Sequence, residues 1–492
     1  MSKYVLTISI LCSRNLTQVK KCIESVLPAM EQMEVELLLT DTVGDVELRN
    51  LLQSYPARIL SYSWNRDFAE ARNLGLKEAR GDWFMYLDDD EWVDDLTPLV
   101  DFFQSGEYKR YEMANYIQRN YQEEDGSRFV DLWVNRMIHR REEVCFKGRI
   151  HEYLTPDTGN CKGLPLVVNH TGYLFSDEKQ RRAHFDRNAS LLVEMIQEEP
   201  DNFRWRTQLI QEYYSVGDTE AIIKEGNEAL KLADNPLNKV MATVLDTFYV
   251  AVTEAHIRRR EYEAAKQKIS EAMEDARISS LCRARLWLLL AECRYAQQCY
   301  EEVEACVTEY LKQRDSLIVQ GIAYENMRLA LFLGDTFDET NEKRAYSLLM
   351  MAGIKQGDKE PLCRYFDRLQ WKGRVLYVHE GFPEVLLEAV QEYPFEEGIQ
   401  ECAIVMYANP VLREYILSLG NIEKYPVFRW LIVNNPLSEG EDTCAEKLAG
   451  DFCRLHRLVS NISQQIQILK ENDRHPEAEQ IEGQIKKLAP WY

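Results

Sequence analysis

The sequence predicts an α/β domain with a Rossmann-like mixed sheet, followed by an all-α region of helical repeats. Three observations lead to this prediction. Short β-branched runs alternate with amphipathic segments in the first third of the chain, and the strand signal disappears from about Arg182 onward. The length of 492 residues also exceeds the size at which one hydrophobic core keeps growing. We therefore predict domains at 1–190, 191–350 and 351–492.

The first domain is predicted to alternate strands with helices. Thr17 is expected to cap a helix that ends before Pro28, because proline disrupts a helix interior. A second helix is predicted from Asp67 to Ala79 by its apolar spacing. Ligands of such sheets gather at the carboxyl ends of the strands. The predicted strands are Tyr4–Leu11, Val35–Thr40, Arg58–Tyr62 and Trp83–Leu87.

The later part of the chain shows helical periodicity with matching turns. Arg260–Ala265 and Gln298–Val303 align in phase, and their tyrosines, Tyr262 and Tyr300, are 300 − 262 = 38 residues apart. This spacing is near the roughly 34-residue period of tetratricopeptide repeats. The segment from Ile466 to Lys487 is predicted to be one more helix pair. We therefore expect tetratricopeptide-like repeats, with a C-terminal helical region after them.

Composition restricts the class of partner and the compartment. The net charge of −22 argues against nucleic-acid binding, which needs a basic surface. The twelve cysteines form no Cys-x-x-Cys pair, so free thiols in a reducing compartment are expected. The apolar run Val5–Cys12 is too short to cross a bilayer. We expect a cytoplasmic protein without a transmembrane segment.

The residues with the clearest chemistry are the acids that follow the fourth predicted strand. Asp88, Asp89, Asp90 and Glu91 come directly after the apolar run that ends at Leu87. Carboxylate oxygens are hard ligands that suit Mg²⁺ or Mn²⁺, and such an ion can also bind a diphosphate. The alternative is that these acids only cap the next helix, where the helix dipole favours negative charge.

The motifs around this loop resemble family 2 glycosyltransferases of the GT-A fold. In that family a helix with an Ala-Arg-Asn signature precedes a Gly-Asp strand and an Asp-x-Asp metal motif. With its C-terminal repeats, the arrangement is similar to the bacterial S-glycosyltransferases that modify glycopeptide bacteriocins. The matching segments are Trp64–Asn73, Gly81–Trp83, the acidic loop, Asn135–Arg140, Phe146–Glu152 and Asn169–Tyr173.

The resemblance implies roles for the acids and for one histidine. Asp41 would meet the nucleobase or ribose of the donor, although an ordinary turn aspartate is the alternative. Asp88 would face the ribose or the sugar, and Asp89, usually variable in the family, is included in the donor site. Asp90 would ligate the metal, with His170 as a further metal or diphosphate contact. For His170 the alternative is a hydrogen-bonded core residue.

The same resemblance implies a donor site and a general base. Asn65, Asp67 and Arg72 would shape the donor site, with a surface ion pair as the alternative for Arg72. Arg187 would close over the diphosphate or merely solvate the start of a helix. Glu152 is the candidate base of an inverting transfer, since a carboxylate must take the acceptor's proton. Alternatively, Glu152 only orients His151 or Arg149.

We therefore expect an inverting, Mn²⁺- or Mg²⁺-dependent enzyme that transfers a sugar from a UDP-sugar to a peptide or protein side chain. Two alternatives remain open: a surface glycan or lipid-linked acceptor, and a non-catalytic helical-repeat scaffold. A homodimer through the C-terminal helices is also expected, with an internal core role as the alternative for the same residues. Those residues are Tyr425, Phe428, Trp430 and Leu431.

Overall fold

The computed structural model divides the chain into two compact units, Met1–Gly217 and Asp218–Tyr492. The predicted boundary at residue 190 falls inside a helix of the first unit, and the three-domain division stays a prediction. The residues that the structure describes are 4–123, 125–156, 159–172, 174, 177–235, 238, 240–320, 333, 336, 339–369, 378–434 and 445–491.

The first unit is built on an eight-stranded mixed sheet with the strand order β3-β2-β1-β4-β7-β6-β10-β5. Strands β3, β2, β1 and β4 are parallel to one another, whereas β7 runs antiparallel to both β4 and β6. The fold class predicted from the sequence is therefore confirmed. The strands are β1 Tyr4–Cys12, β2 Val35–Asp41, β3 Arg58–Ser61, β4 Gly81–Asp88, β5 Glu91–Val93, β6 Met113–Tyr121, β7 Phe129–His139, β8 Cys145–Lys147, β9 Tyr153–Thr155 and β10 Cys161–His170.

The central strands are buried on both faces, which explains their continuous apolar sequences. Trp83, Met85 and Leu87 pack on one face with α1 and α4, while Phe84 and Tyr86 pack on the other with the β8–β9 hairpin. Gly81 begins β4 so close to Thr7 that a side chain there would collide with the backbone of β1. The helices of this unit are α1 Leu16–Gln32, α2 Val46–Gln53, α3 Phe68–Glu78, α4 Thr97–Gln104, α5 Glu178–Glu198 and α6 Phe203–Ser215.

Two details of helix α1 differ from the prediction. The helix continues through Pro28, which lies on its exposed face, so the carbonyl that loses its N–H partner can be solvated. Ala29, one residue later, is fully buried and keeps the last turn packed on the sheet. The cap is Asn15 rather than Thr17, because the Asn15 side chain accepts a hydrogen bond from the backbone N–H of Gln18. Helix α3 agrees closely with its prediction, since Asp67 is its N-cap and Ala79 its C-cap.

All the described secondary-structure elements of the second unit are helices. Each helix from α7 to α12 contacts the next described helix along the chain. The turns at Arg260 and Gln298, matched in sequence, also match in backbone, with φ of 59° and 62°. The predicted pair at the chain end is present as well, with Asp473 in its turn. The helices are α7 Thr219–Ala233, α8 Ala242–Arg258, α9 Tyr262–Glu274, α10 Ser280–Ala296, α11 Tyr300–Val319, α12 Glu339–Lys355, α13 Glu360–Tyr365, α14 Phe382–Glu392, α15 Glu397–Ala408, α16 Pro410–Ser418, α17 Pro426–Asn434, α18 Ala445–Glu471 and α19 His475–Leu488.

The four residues expected to seal a homodimer are internal. Tyr425, Phe428, Trp430 and Leu431 are all buried in one apolar core of the second unit. The structure therefore gives them the internal core role, because side chains already packed inside one unit offer no surface to a second copy. Across the described ranges, no helix is both long and apolar enough to span a membrane.

Candidate active site

The predicted acids meet at one edge of the sheet because parallel strands end there together. Cys12 of β1 is in register with Asp41 of β2, and Leu11 with Asp88 of β4. The carboxyl ends of three neighbouring strands thus bring Asp41 and Asp88 to the same edge, where open α/β sheets bind their ligands.

Arg72 joins two of the predicted site residues. It extends from α3, is only 3% exposed, and donates one hydrogen bond to Asp88 and one of 2.5 Å from Nε to Oε1 of Glu152. Its guanidinium also lies 4.5 Å from the centre of the Tyr86 ring. Arg72 is therefore a buried bridge between two acids. Among the described residues its ion-pair partners are Asp88 and Glu152, not Asp67 or Glu70. The side chain of Glu152 hydrogen-bonds Arg72 rather than His151 or Arg149.

A bulge in β7 directs a second arginine, Arg136, toward the acids. The sequence predicted no role for this residue. In the β6–β7 register Ala114 pairs with Met137 and Asn115 with Asn135, so Arg136 is the extra residue. Bulges re-aim side chains in this way near active sites. Arg136 Nη2 lies 3.0 Å from Asp88 Oδ2 and 3.7 Å from Glu91 Oε1. The only sequence signal was its place in the Asn135–Arg140 motif.

The electrostatics of this network depend on the two arginines. Burial tends to raise the pKa of Asp88, but Arg72 and Arg136 outweigh it and hold that pKa well below its usual range. Glu91 differs, since burial raises its pKa despite Arg136 nearby. Its oxygens accept hydrogen bonds from the Asp88 backbone N–H at 2.7 Å and from Gln118 at 2.5 Å. Asp88 is thus held as a charged carboxylate, and Glu91 stabilises the acidic loop through its hydrogen bond with the Asp88 backbone N–H.

Asp90 and His170 form a separate pair beside this network. Asp90 Oδ2 lies 3.5 Å from Nε2 of His170, whose Nδ1 is 2.7 Å from Oδ1 of Asn120. Burial lowers the pKa of His170, but Asp90 and the neighbouring acids have the larger combined effect, so its pKa is raised. A Cβ on Gly172 would lie 2.9 Å from Asp90 Oδ2 and closer still to His170. Tyr173, from the same motif, lies outside the described residues.

The residues at this pair suit a divalent ion that is shared with a substrate. Asp90 and His170 provide one carboxylate and one imidazole, and Mg²⁺ usually takes one or two carboxylates together with substrate phosphates. Within the described ranges, no group of three or more His, Cys, Asp or Glu side chains is arranged to hold a metal by itself. Asp90 and His170 by themselves would supply only part of the coordination of a divalent ion.

The other acids of the loop region have distinct surroundings. Asp89 accepts a 2.5 Å hydrogen bond from the Ser13 backbone N–H, and burial raises its pKa to about 6. Asp41 is 1% exposed and its Oδ1 accepts hydrogen bonds from the N–H groups of Val43 and Gly44. Its Oδ2 is buried and accepts no hydrogen bond, with Arg49 3.8 Å away. Asp41 is thus a turn aspartate with one oxygen unsatisfied.

Three predicted donor-site residues have mainly local contacts. Asn65 hydrogen-bonds Tyr62 and Glu70, and Asp67 accepts a hydrogen bond from the Glu70 backbone N–H as the cap of α3. Arg187 donates to Asn188 and lies 5.8 Å from the Phe68 ring. Their donor-site roles stay predictions.

Asn73, the third residue of the Ala-Arg-Asn signature, has a purely structural contact. Its side chain both donates to the Phe146 carbonyl at 2.9 Å and accepts from the Phe146 N–H at 2.7 Å. Asn73 thereby fixes β8 beside α3, and β8 leads into the loop that carries Glu152.

Comparisons with known proteins show which sequences and structures this chain is similar to. Residues 8–157 match the family model described as glycosyl transferase family 2. Over 216 residues the chain is 26% identical to the SPbeta prophage-derived glycosyltransferase SunS of Bacillus subtilis (strain 168), and equally to glycosyltransferase SunS of Bacillus phage SPbeta. Each match covers 41% of this chain and 47% of the relative, so the matched region spans about half the length of these curated relatives.

Among solved structures, two crystal structures of S. aureus TarS are similar at low identity. One, of residues 1–349, has a TM-score of 0.28 and 10% identity, and covers 61% of this chain and 91% of that one. The other has a TM-score of 0.30 and 11% identity, with 59% and 53% coverage. The family match rests on the sequence comparison: the matched segment 8–157 runs from within β1 through β9 and includes the acidic loop.

Proposed function

We propose that the chain is an inverting glycosyltransferase that uses a UDP-sugar and Mn²⁺ or Mg²⁺ to modify a side chain of a peptide or protein. The observation that carries this proposal is the Glu152–Arg72–Asp88 chain of contacts at the carboxyl edge of the sheet, next to the Asp90–His170 pair. A candidate base in this network and a candidate metal-binding pair beside it support the proposal.

The donor is held at the strand ends. The unsatisfied Oδ2 of Asp41 accepts a hydrogen bond from the nucleobase or ribose, and Asp88 faces the ribose or the sugar. Asp90 and His170 would hold the divalent ion, and a bound ion would supply positive charge against the departing diphosphate. Arg72 and Arg136 keep Asp88 ionised, so its oxygens remain hydrogen-bond acceptors.

Glu152 acts on the acceptor. As the acceptor heteroatom bonds to the anomeric carbon, the bond from that carbon to the diphosphate oxygen breaks, and the acceptor proton passes to the Glu152 carboxylate. The hydrogen bond from Arg72 to Oε1 fixes the orientation of this carboxylate, which leaves Oε2 to take the proton. Attack opposite the leaving group inverts the anomeric centre.

The second unit supports a polypeptide acceptor. Its helices α7 to α12 pack in sequence order, an arrangement that creates extended surfaces on which polypeptides bind in repeat proteins. The described cysteines are all free thiols, which supports a reducing compartment such as the cytoplasm.

Calorimetry with UDP and MnCl₂ tests the assignment. We expect Asp90→Asn to weaken Mn²⁺-dependent UDP binding at least tenfold, and Glu152→Gln to bind like the wild type but lose turnover. Asp95→Asn is the control, because Asp95 is an exposed acid of the next loop that caps Thr97. Undiminished Mn²⁺-dependent binding by Asp90→Asn would contradict the proposed metal site.

A further inference from the structure

The loop that carries Glu152 packs against helices α5 and α6, which follow the matched segment 8–157 in the chain. A Cβ on Gly148, which has φ of +95°, would lie 2.6 Å from Cη2 of Trp205 in α6. Arg149 pairs with Glu194 and Glu198 of α5 at 3.1 and 2.6 Å. The loop therefore has close contacts with both helices.

His151, the residue directly before Glu152, has an unusual backbone conformation. Its φ is +50°, in the left-handed region that residues other than glycine rarely adopt. Such a conformation persists only when the surrounding structure holds it. The conformation of His151 also sets the direction in which the next residue leaves the loop, so whatever holds His151 also orients Glu152.

The group that holds His151 is Glu212 of α6. His151 Nε2 lies 3.1 Å from Glu212 Oε1, and Asn188 Nδ2 donates to the same oxygen at 2.8 Å. Glu212 is 7% exposed. Burial alone would raise its pKa, but His151 and Asn188 outweigh burial and lower it. A charged carboxylate thus sits where the imidazole N–H can donate to it.

We infer that Glu212 is a positioning residue for Glu152, acting through His151. This inference rests on the proposed function, in which Glu152 is the base. Arg72 binds the Glu152 carboxylate itself, whereas Glu212 fixes the backbone one residue earlier. Arg72 and Glu212 therefore constrain the Glu152 carboxylate in two ways, one through its side chain and one through the preceding backbone. The residues that position the candidate base therefore extend past residue 157 to at least residue 212.

The experiment compares Glu212→Ala with Glu212→Gln in the full chain. Glutamine keeps an oxygen that both His151 and Asn188 can donate to, whereas alanine keeps none. Glu198→Ala is the control, because Glu198 is an exposed partner of Arg149 in the same loop. His151→Asn is a second variant in case Glu212→Ala does not fold, since asparagine tolerates the left-handed region but cannot reach Glu212 in the same way.

Two readouts separate this inference from the proposed function. Amide hydrogen exchange of the peptide spanning 147–153 should be at least tenfold faster in Glu212→Ala and in His151→Asn, with exchange in β1 and β4 unchanged. Release of UDP from a UDP-sugar should show kcat lowered about 10- to 100-fold with KM for the donor unchanged, since small misplacements of a reacting group have effects of this size. Glu212→Gln and Glu198→Ala should stay within about threefold of the wild type in both.

If Glu212→Ala showed wild-type amide exchange and wild-type turnover, the inference would be overturned. It would also be overturned if Glu212→Gln changed exchange and kcat as much as Glu212→Ala does. A rise in KM that matches the fall in kcat would also overturn it. If the wild type releases no UDP, the proposed function fails, and the exchange measurement still decides whether Glu212 holds the loop.

Discussion

Arg136→Met tests whether Arg136 stabilises the buried acids Asp88 and Glu91, and Arg119→Met provides a matched comparison. Each arginine pairs with an aspartate and lies over an aromatic ring: Arg136 with Asp88 and Tyr86, Arg119 with Asp131 and Phe129. The two differ in burial, since the Arg136 side chain is 15% exposed and the Arg119 side chain 30%. The acids that lose their partner in each variant also differ. Arg136, unlike Arg119, has the fully buried Glu91 as a second acidic neighbour.

The magnitude follows from those surroundings. Two unit charges about 4 Å apart interact by about 4 kcal/mol at an effective dielectric constant of about 20. Removing one partner of a buried pair typically costs about 3–5 kcal/mol. We expect Arg136→Met to lower the free energy of unfolding of the first unit by about 3 kcal/mol at pH 8. Arg119→Met should cost less than about 1 kcal/mol, as exposed pairs do.

The pH dependence has a definite sign. The pKa of Glu91 is raised, so its protonated form favours the folded state, and that contribution disappears as pH rises through the folded-state pKa. Without Arg136 this pKa rises further. The variant should therefore lose more stability at pH 8 than at pH 5, where Glu91 takes up a proton more readily.

Scanning calorimetry at pH 5 and pH 8 measures both effects. For a unit of this size, about 3 kcal/mol corresponds to a fall of about 6–12 °C in the Tm of its transition. Equal shifts in the two variants, or a larger loss for Arg136→Met at pH 5, would refute the reasoning about the buried acids.

Three further predictions concern single contacts. Gly172→Ala should weaken Mn²⁺-dependent UDP binding at least tenfold in calorimetry, because its Cβ would crowd Asp90 and His170; unchanged affinity would argue against that pair as the metal site. Asp67→Ala should lower the free energy of unfolding by about 1 kcal/mol through the lost helix cap, as urea titration would show, and no loss would remove the capping role. Asn73→Ala should cost about 2 kcal/mol for two lost hydrogen bonds to the Phe146 backbone, and faster amide exchange limited to β8 is the expected signature.

Much of the first unit could be predicted from the sequence because its central strands are buried on both faces. The apolar runs at β1, β2 and β4 predict strands, and the capping aspartate predicts the start of α3. The course of α1 past Pro28 was not readable, since it depends on which face of the helix meets water. The burial of Tyr425 and Trp430 was also undecided, because an apolar helix face can pack inside a unit or against a second copy.

The site was predictable where residues are adjacent in sequence and unpredictable where the register brings them together. The acids Asp88 and Asp90 follow directly from their place after a strand. Arg136 reaches Asp88 and Glu91 only because a bulge shifts the register of β7. Glu212 reaches His151, beside Glu152, from a position 61 residues further along the chain. Sequence spacing contains no information about either contact.

The most direct test of the central claim is release of UDP from UDP-sugars by the purified chain, with and without Mn²⁺. We predict slow, Mn²⁺-dependent release by the wild type for at least one sugar, and release at least about a hundredfold slower by Glu152→Gln. Release by Glu152→Gln at the wild-type rate would contradict the account, and so would the absence of release across a panel of UDP-sugars.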